Sequence, residues 1–465
     1  MRTGTGTRGV RSAKPPLFPF PRPLLSASRM KNEAPPALLP RLSVMMFLEY
    51  AIWGAWLPIL FPFLQGHRGF TNDEIGAMFA VGAVGAIVAP FIAGQIADRL
   101  FATQKFLGVL HLAGAVLMWQ LASIESFGGF LAFSLIYSLL YCPTMPLTNS
   151  LAFHHLTDGK SQFGKVRLWG TIGWIAVGIA MGQWLLIAHT PTGVEEAAVA
   201  AAQNAGRADA FKLSAILGAI MGVYCFTLPN TPPQRGARAV AIAGAFEAVS
   251  KNPLRTLFLL TIPIACIHQF YFVHTGGFLS AFQSNAAGAI NRIFGVGGGG
   301  LMTIGQMSEI AVLAFVPTLV GRVSRKTILI VGTLAYALRM ALFAYVHEIP
   351  LDPIVTLVLG VALHGVCFGC FIFLAFMIID EEAPKDLRAS TQSLYNLVIV
   401  GIGVIVGSFV STKIATWAQH GAEKLDYSNP EQTRSLFAAP MWASLAVLVL
   451  LVALYPKDRR EPANV

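Results

Sequence analysis

Glu309 is a carboxylate set in the middle of an apolar run, Thr303-Ile304-Gly305-Gln306-Met307-Ser308-Glu309. A charge at a bilayer centre costs about 2.5–3.5 kcal/mol on insertion scales, so it needs a partner, water or a function. Gln306 stands three residues earlier, which puts the two side chains on one helical face. Together they offer acceptor oxygens and an amide donor, a set that suits a polyol or a ribose. A structural interhelical hydrogen bond is the alternative. In another run, Arg167, Thr171 and Trp174 follow one another at spacings of four and three. A guanidinium, a hydroxyl and an indole then share one stripe. They would hold the polar edge of a planar ligand and stack on its face. Arg167 lies only a turn or so inside its run, so snorkelling to the membrane surface is the competing explanation.

Other polar residues interrupt apolar runs. One carries His268, Gln269, Phe272 and His274, with Gln269 and Phe272 a turn apart and expected on the same wall. Another carries His364 and Phe368 at i, i+4. A lone histidine in such a run is more often a packing residue than a ligand. Glu49 is buried by position, either against Arg167 or toward solvent, and Arg339 is expected to pair or snorkel. The five cysteines all lie in apolar runs and imply no disulfide framework. Cys367-x-x-Cys370 has no second ligand pair, so no metal is expected. No nucleophile–base–orienter set is present, so the chain does not read as an enzyme and implies no cofactor.

The elements that hold these residues follow from composition. The chain has 465 residues, 55% hydrophobic and 12% charged, against about 25% charged in soluble proteins. That balance excludes an ordinary soluble enzyme and a disordered chain. Twelve apolar spans are expected, at 41–64, 72–98, 105–124, 127–157, 164–189, 211–229, 254–284, 300–322, 326–347, 352–379, 385–417 and 435–456. Thr71-Asn72-Asp73-Glu74 is a helix-capping cluster that opens the second. The fold class is an all-α polytopic membrane protein. The basic loop at 230–253 divides the spans into two six-helix bundles, 41–229 and 254–456, with a site at the midplane between them.

The net charge of +10 sits in short loops and tails rather than on one face, which excludes nucleic acid as a partner. With the N-terminus inside, 24 of the 33 lysines and arginines fall in inside segments and five in outside ones. That bias puts both termini in the cytoplasm. The basic head, 1–40, and the tail, 457–465, are expected to lie in the cytoplasm, the head disordered. A transit peptide would resemble this head, and a later start at Met30 or Met45 is the other explanation. The 190–210 stretch is expected to form a small external helix, and Gly295–Gly300 a flexible outer loop.

Gly94-Gln95-Ile96-Ala97-Asp98-Arg99 resembles the loop signature of the major facilitator superfamily, with a degraded copy at Gly321-Arg322-Val323-Ser324-Arg325-Lys326. There Gly94 would allow close helix approach, and Asp98 and Arg99 would bridge a cytoplasmic gate. Within that superfamily the chain resembles the nucleoside:proton symporter family. The likeness rests on Phe47-Leu48-Glu49-Tyr50-Ala51-Ile52-Trp53-Gly54-Ala55-Trp56, Pro143-Thr144-Met145-Pro146-Leu147-Thr148-Asn149-Ser150 and Val166-Arg167-Leu168-Trp169-Gly170-Thr171-Ile172-Gly173-Trp174. It continues in Gln306-Met307-Ser308-Glu309, Leu363-His364-Gly365 and Leu387-Arg388-Ala389-Ser390-Thr391-Gln392.

The resemblance implies proton-driven nucleoside uptake by alternating access across the bacterial inner membrane, by a monomer in the lipid bilayer. It implies a substrate site of Arg167, Thr171, Trp174, Gln269, Gln306, Glu309, His364 and Phe368. Proton coupling would fall to Glu309, with Glu49 beside it. The chain departs from the family pattern at three places. Phe272 stands where a polar residue is common, Gly369 where an acid is common, and Glu49 where a glutamine is common. A sugar or drug transporter of the same superfamily is the near alternative, and a non-transporting membrane receptor the distant one.

Overall fold

Apart from the isolated residues 1 and 4, the computed structural model describes residues 38–92, 101–156, 159–232, 242–283, 288–320, 322–385 and 387–456. Gly94, Asp98 and Arg99, nearly all of the head and the whole tail lie outside them. Among the described residues there is no strand. Lipid offers no hydrogen bonds to a backbone, so the apolar runs satisfy theirs internally as helices.

The spans run Leu38–Gly66, Asn72–Ile92, Thr103–Leu121, Phe127–His155, Gly159–Ala188, Ala208–Cys225, Leu254–Gln283, Gly299–Val320, Arg325–Ala344, Pro353–Glu382, 388–418 and Pro430–Leu454. Ten helical stretches are long and apolar enough to cross a membrane by length and composition, and the second and third spans complete the twelve. Several are not straight. Pro58 sits in a 3-10 turn, Leu57–Ile59, inside the first span. The tenth and eleventh contain π-helical segments, Phe368–Phe373 and Leu397–Gly403. The second span opens on a capping box: the Glu74 N–H donates to Thr71 Oγ1 (3.3 Å), and the Thr71 N–H to Glu74 Oε2 (2.8 Å).

Some expected boundaries move. The first helix begins at Leu38 rather than after the head, because Leu38 and Leu42 already pack into the core. The 230–253 connection contains a short helix, Ile242–Val249, with Gly244 against Leu387. The twelfth span starts at Pro430, not 435. Asn429 Oδ1 accepts from the backbone N–H groups of Glu431 and Gln432, and Pro430 takes the first helical position. That polar first turn hides the start from an apolar pattern. The helix expected within 190–210 is Glu196–Gly206.

The glycine-rich loop differs most from expectation. Residues 295–300 are all buried. Gly295, Gly297 and Gly298 take positive φ, so the chain folds back tightly. The Val296 N–H donates to the Gly182 carbonyl at 3.0 Å, and Gln283 clamps the loop through Gly295 O and the Gly298 N–H. With Val296 its one side chain beyond hydrogen, the loop lies backbone to backbone between the fifth and eighth spans. It is a packed joint.

That joint is one of several connecting the halves at the end of the bundle away from the chain termini. Gly276 of the seventh span presses on the Pro58 carbonyl of the first. Arg207, buried between the Glu196–Gly206 helix and the sixth span, donates to Ser280 Oγ at 2.8 Å. Asn72 bonds Thr416, and Lys413 pairs with Asp73 at 2.8 Å, tying the second span to the eleventh. This end is closed.

Candidate transport site

The fifth and eighth spans bring the two halves together in mid-molecule, where Gly178 meets Thr303 and Gly299. A turn along the eighth span comes Gln306. The residue is 6% exposed, and its Oε1 has no hydrogen-bond partner among the described residues. Glu309 follows on the same face, with 18% of its side chain exposed. Its carboxylate accepts no direct hydrogen bond among the described residues. Its ion-pair partner is His364 Nε2, 3.8 Å from Oε2, a distance for ion pairing but not for a hydrogen bond.

Gly365 sets that approach. A Cβ there would overlap the Ser308–Glu309 backbone at 2.4–2.5 Å, so its absence lets the tenth span lie directly on the eighth. Gly305 does the same from the other side, beneath the His364 Cβ. The His364 ring then stacks with His268 (5.3 Å) and Tyr271 (4.8 Å), with Phe272 edge-on at 5.8 Å. Phe368 lies one turn along the tenth span, 6.2 Å from the His268 ring.

From the N-terminal half, Arg167 stacks its guanidinium 3.9 Å over the Tyr50 ring and acts electrostatically on Glu309. It faces the junction rather than the membrane surface. Thr171 is half-buried on the same helix. Trp174 is 8% exposed and packs edge-on against Trp53 at 5.3 Å, with Gly54 under its ring. Its indole is largely engaged in holding the first and fifth spans together.

Two residues expected together diverge. Gln269 Nε2 donates to Ser408 Oγ of the eleventh span at 3.1 Å, while Phe272 turns toward His364. Residues three apart on a helix are offset by about 60°, enough here to face different neighbours. His274 is a satisfied packing histidine, bonded to Tyr427 OH and the Ser411 carbonyl.

Glu49 stands apart from this set, paired with neither Arg167 nor solvent. It has no exposed surface and bonds His111 Nε2 (3.0 Å) and Thr144 Oγ1 (2.5 Å). Both partners belong to its own half. Arg339 neither pairs with a carboxylate nor snorkels: it is fully buried, and its Nη1 donates to His364 Nδ1 at 3.2 Å. Sequence reasoning did not single out His111 or Tyr271, nor tie Arg339 and His268 to this site. His111, the one histidine within an apolar third span, carried a usable signal.

The sequence profile of the family described as "Nucleoside H+ symporter" matches residues 37–459. The chain belongs to that family. It is 33% identical over 427 residues to the putative nucleoside transporter YegT of Escherichia coli K12, covering 89% of this chain and 91% of the relative. It is 25% identical to the nucleoside permease NupG of the same organism, over 82% and 89% of the two chains. The crystal structure of NupG superposes with a TM-score of 0.76 at 22% identity, covering 90% of this chain and 99% of that one. The fold is that of a major facilitator transporter, twelve helices in two bundles of six, and the protein is a multi-pass membrane transporter rather than an enzyme.

Proposed function

We propose that this family member takes up nucleosides with protons across the bacterial inner membrane, as a monomer, with both termini in the cytoplasm. The two bundles, divided in the 230–253 connection, rock about a site shared by Arg167, Thr171, Gln306, Glu309, His364 and Phe368, with Trp174 and Gln269 shaping its walls. The observation that carries this reading is Gln306 Oε1. A buried acceptor without a partner, next to a carboxylate without a hydrogen bond, leaves two acceptors open to the hydroxyls of a ribose.

Glu309 takes a proton from the outer side, nucleoside binds, the outer end closes, and both leave inward. The closed joints at 58/276, 182/296 and 73/413 correspond to the state after closure. The test is uptake of labelled uridine and adenosine into cells lacking their own carriers, with and without a protonophore. Accumulation that the protonophore removes supports the reading. Uptake of a labelled sugar or drug with no nucleoside competition would assign a different substrate class, and no uptake of any solute would favour a receptor.

A further inference from the structure

Arg339 is the largest fully buried side chain among the described residues, and no carboxylate pairs with it there. Its guanidinium lies 4.2 Å from the Tyr271 ring centroid and 5.0 Å from that of Tyr336. Its Nε and Nη2 have no hydrogen-bond partner among the described residues. The one polar contact it makes is Nη1 to His364 Nδ1, at 3.2 Å.

That contact fixes the chemistry of His364. A guanidinium has only donors and does not deprotonate in proteins. His364 Nδ1 must therefore accept, and the proton of the neutral imidazole must sit on Nε2. Nε2 is the atom that faces Glu309 Oε2 at 3.8 Å. A second proton, on Nδ1, would point into the guanidinium with nothing to accept it. The other titratable or charged groups around this ring are His268 and Tyr271 from the seventh span and Glu309 from the eighth, with Tyr336 of the ninth bonded to His268 Nδ1 at 2.8 Å. None offers Nδ1 an alternative partner.

We propose that Arg339 is a positioning residue for proton coupling: it locks His364 as the neutral Nε2–H tautomer, a fixed donor aimed at Glu309. The proposal rests on the reading of Glu309 as the proton site. While Glu309 is charged, the His364 N–H and the guanidinium behind it stabilise the carboxylate. Once Glu309 takes up a proton, that N–H is free to donate to a nucleoside oxygen. Protonation and substrate binding are thereby linked through one hydrogen atom, and His364 itself never carries the transported proton.

The tautomer is read directly on wild-type protein. In nitrogen-labelled histidine spectra, with His364→Gln assigning the signal, His364 Nδ1 should remain unprotonated between about pH 5 and 8, where a free imidazole titrates. A protonated Nδ1 overturns the proposal. Arg339→Met keeps the volume and removes the donor. It should lower proton-driven uridine accumulation at least about tenfold and introduce a histidine titration into the pH profile of uridine binding. Arg339→Lys, which retains a charged donor, should restore both toward wild type. In a His364→Gln background, Arg339→Met should add nothing further, because its effect passes through that ring. Full additivity, or an unchanged pH profile in Arg339→Met, overturns the proposal. Failure of the underlying reading is distinguishable: Glu309→Gln would then accumulate uridine normally, whatever tautomer His364 adopts.

Discussion

Each half of the molecule holds a glutamate beside a histidine in mid-span, and the two pairs are built differently. Glu49 is fully buried, bonded to His111 at 3.0 Å and Thr144 at 2.5 Å, while Tyr141 OH donates to its backbone carbonyl. Glu309 keeps 18% of its side chain exposed, stands 3.8 Å from His364 and accepts no direct hydrogen bond among the described residues. A carboxylate whose lone pairs are already engaged is a joint between helices. One whose lone pairs are open can take a proton or a ligand. Burial separates the two only in degree; hydrogen-bond satisfaction separates them in kind.

The largest expected effect breaks the open pair. Glu309→Gln should abolish proton-driven nucleoside accumulation under an imposed pH gradient, yet leave nucleoside exchange measurable, because an amide cannot carry the proton but still offers an oxygen. Normal accumulation in this variant would place coupling elsewhere, with Glu49 the next carboxylate to test.

The satisfied pair should fail in a different currency. Glu49→Gln puts an NH2 group where His111 and Thr144 present donors, leaving one buried polar group unpaired at a cost of about 1–3 kcal/mol. Purified variant should melt at a lower temperature, while folded variant still accumulates uridine with its proton coupling intact. Loss of coupling at unchanged thermal stability would erase the contrast between the halves.

The contrast also marks what a sequence can disclose. Glu309 and Gln306 stand out because a carboxylate and an amide three apart in an apolar helix are rare. The spans stand out for the same reason, as long apolar runs between charged loops. Partners do not. His364, Arg339 and Glu309 come from the tenth, ninth and eighth spans, and only helix packing through Gly365 and Gly305 brings two of them within 3.8 Å. Glu49 could equally have met Arg167 until packing gave it His111. The π-helical segments and the buried glycine loop are likewise tertiary features, since nothing in Phe368–Phe373 or Gly295–Gly300 dictates how neighbours close on them.

A smaller effect sharpens the comparison within the open site. Gln306→Ala removes an acceptor that has no partner in the protein, so it should cost little stability. It should weaken uridine binding by about 0.5–1.5 kcal/mol, the net worth of one neutral hydrogen bond. Calorimetry on purified protein checks this. Unchanged affinity with a lowered melting temperature would return Gln306 to the structural class that holds Glu49.

The smallest expected effect concerns which base the open site accepts. Phe272 lies edge-on to the His364 and His268 rings, at 5.8 and 5.3 Å, and Gln269 beside it is committed to Ser408. At position 272 the seventh span therefore presents a ring with no donor or acceptor, while the neighbouring Gln269 amide is turned away. That ring can stack on a base or exclude it by shape, but it cannot read hydrogen-bonding edges, and shape alone discriminates weakly. Purine and pyrimidine nucleosides should then compete for labelled uridine uptake with less than about a tenfold difference, or about 1.4 kcal/mol. Phe272→Asn restores a polar reader at that wall and should widen the difference, though by less than a single well-made hydrogen bond allows, since Asn must also keep its amide satisfied against two histidines. A wild-type preference above about a hundredfold would require a reader among Arg167, Thr171 and Gln306 instead, and would move the source of selectivity from the seventh span to the fifth and eighth.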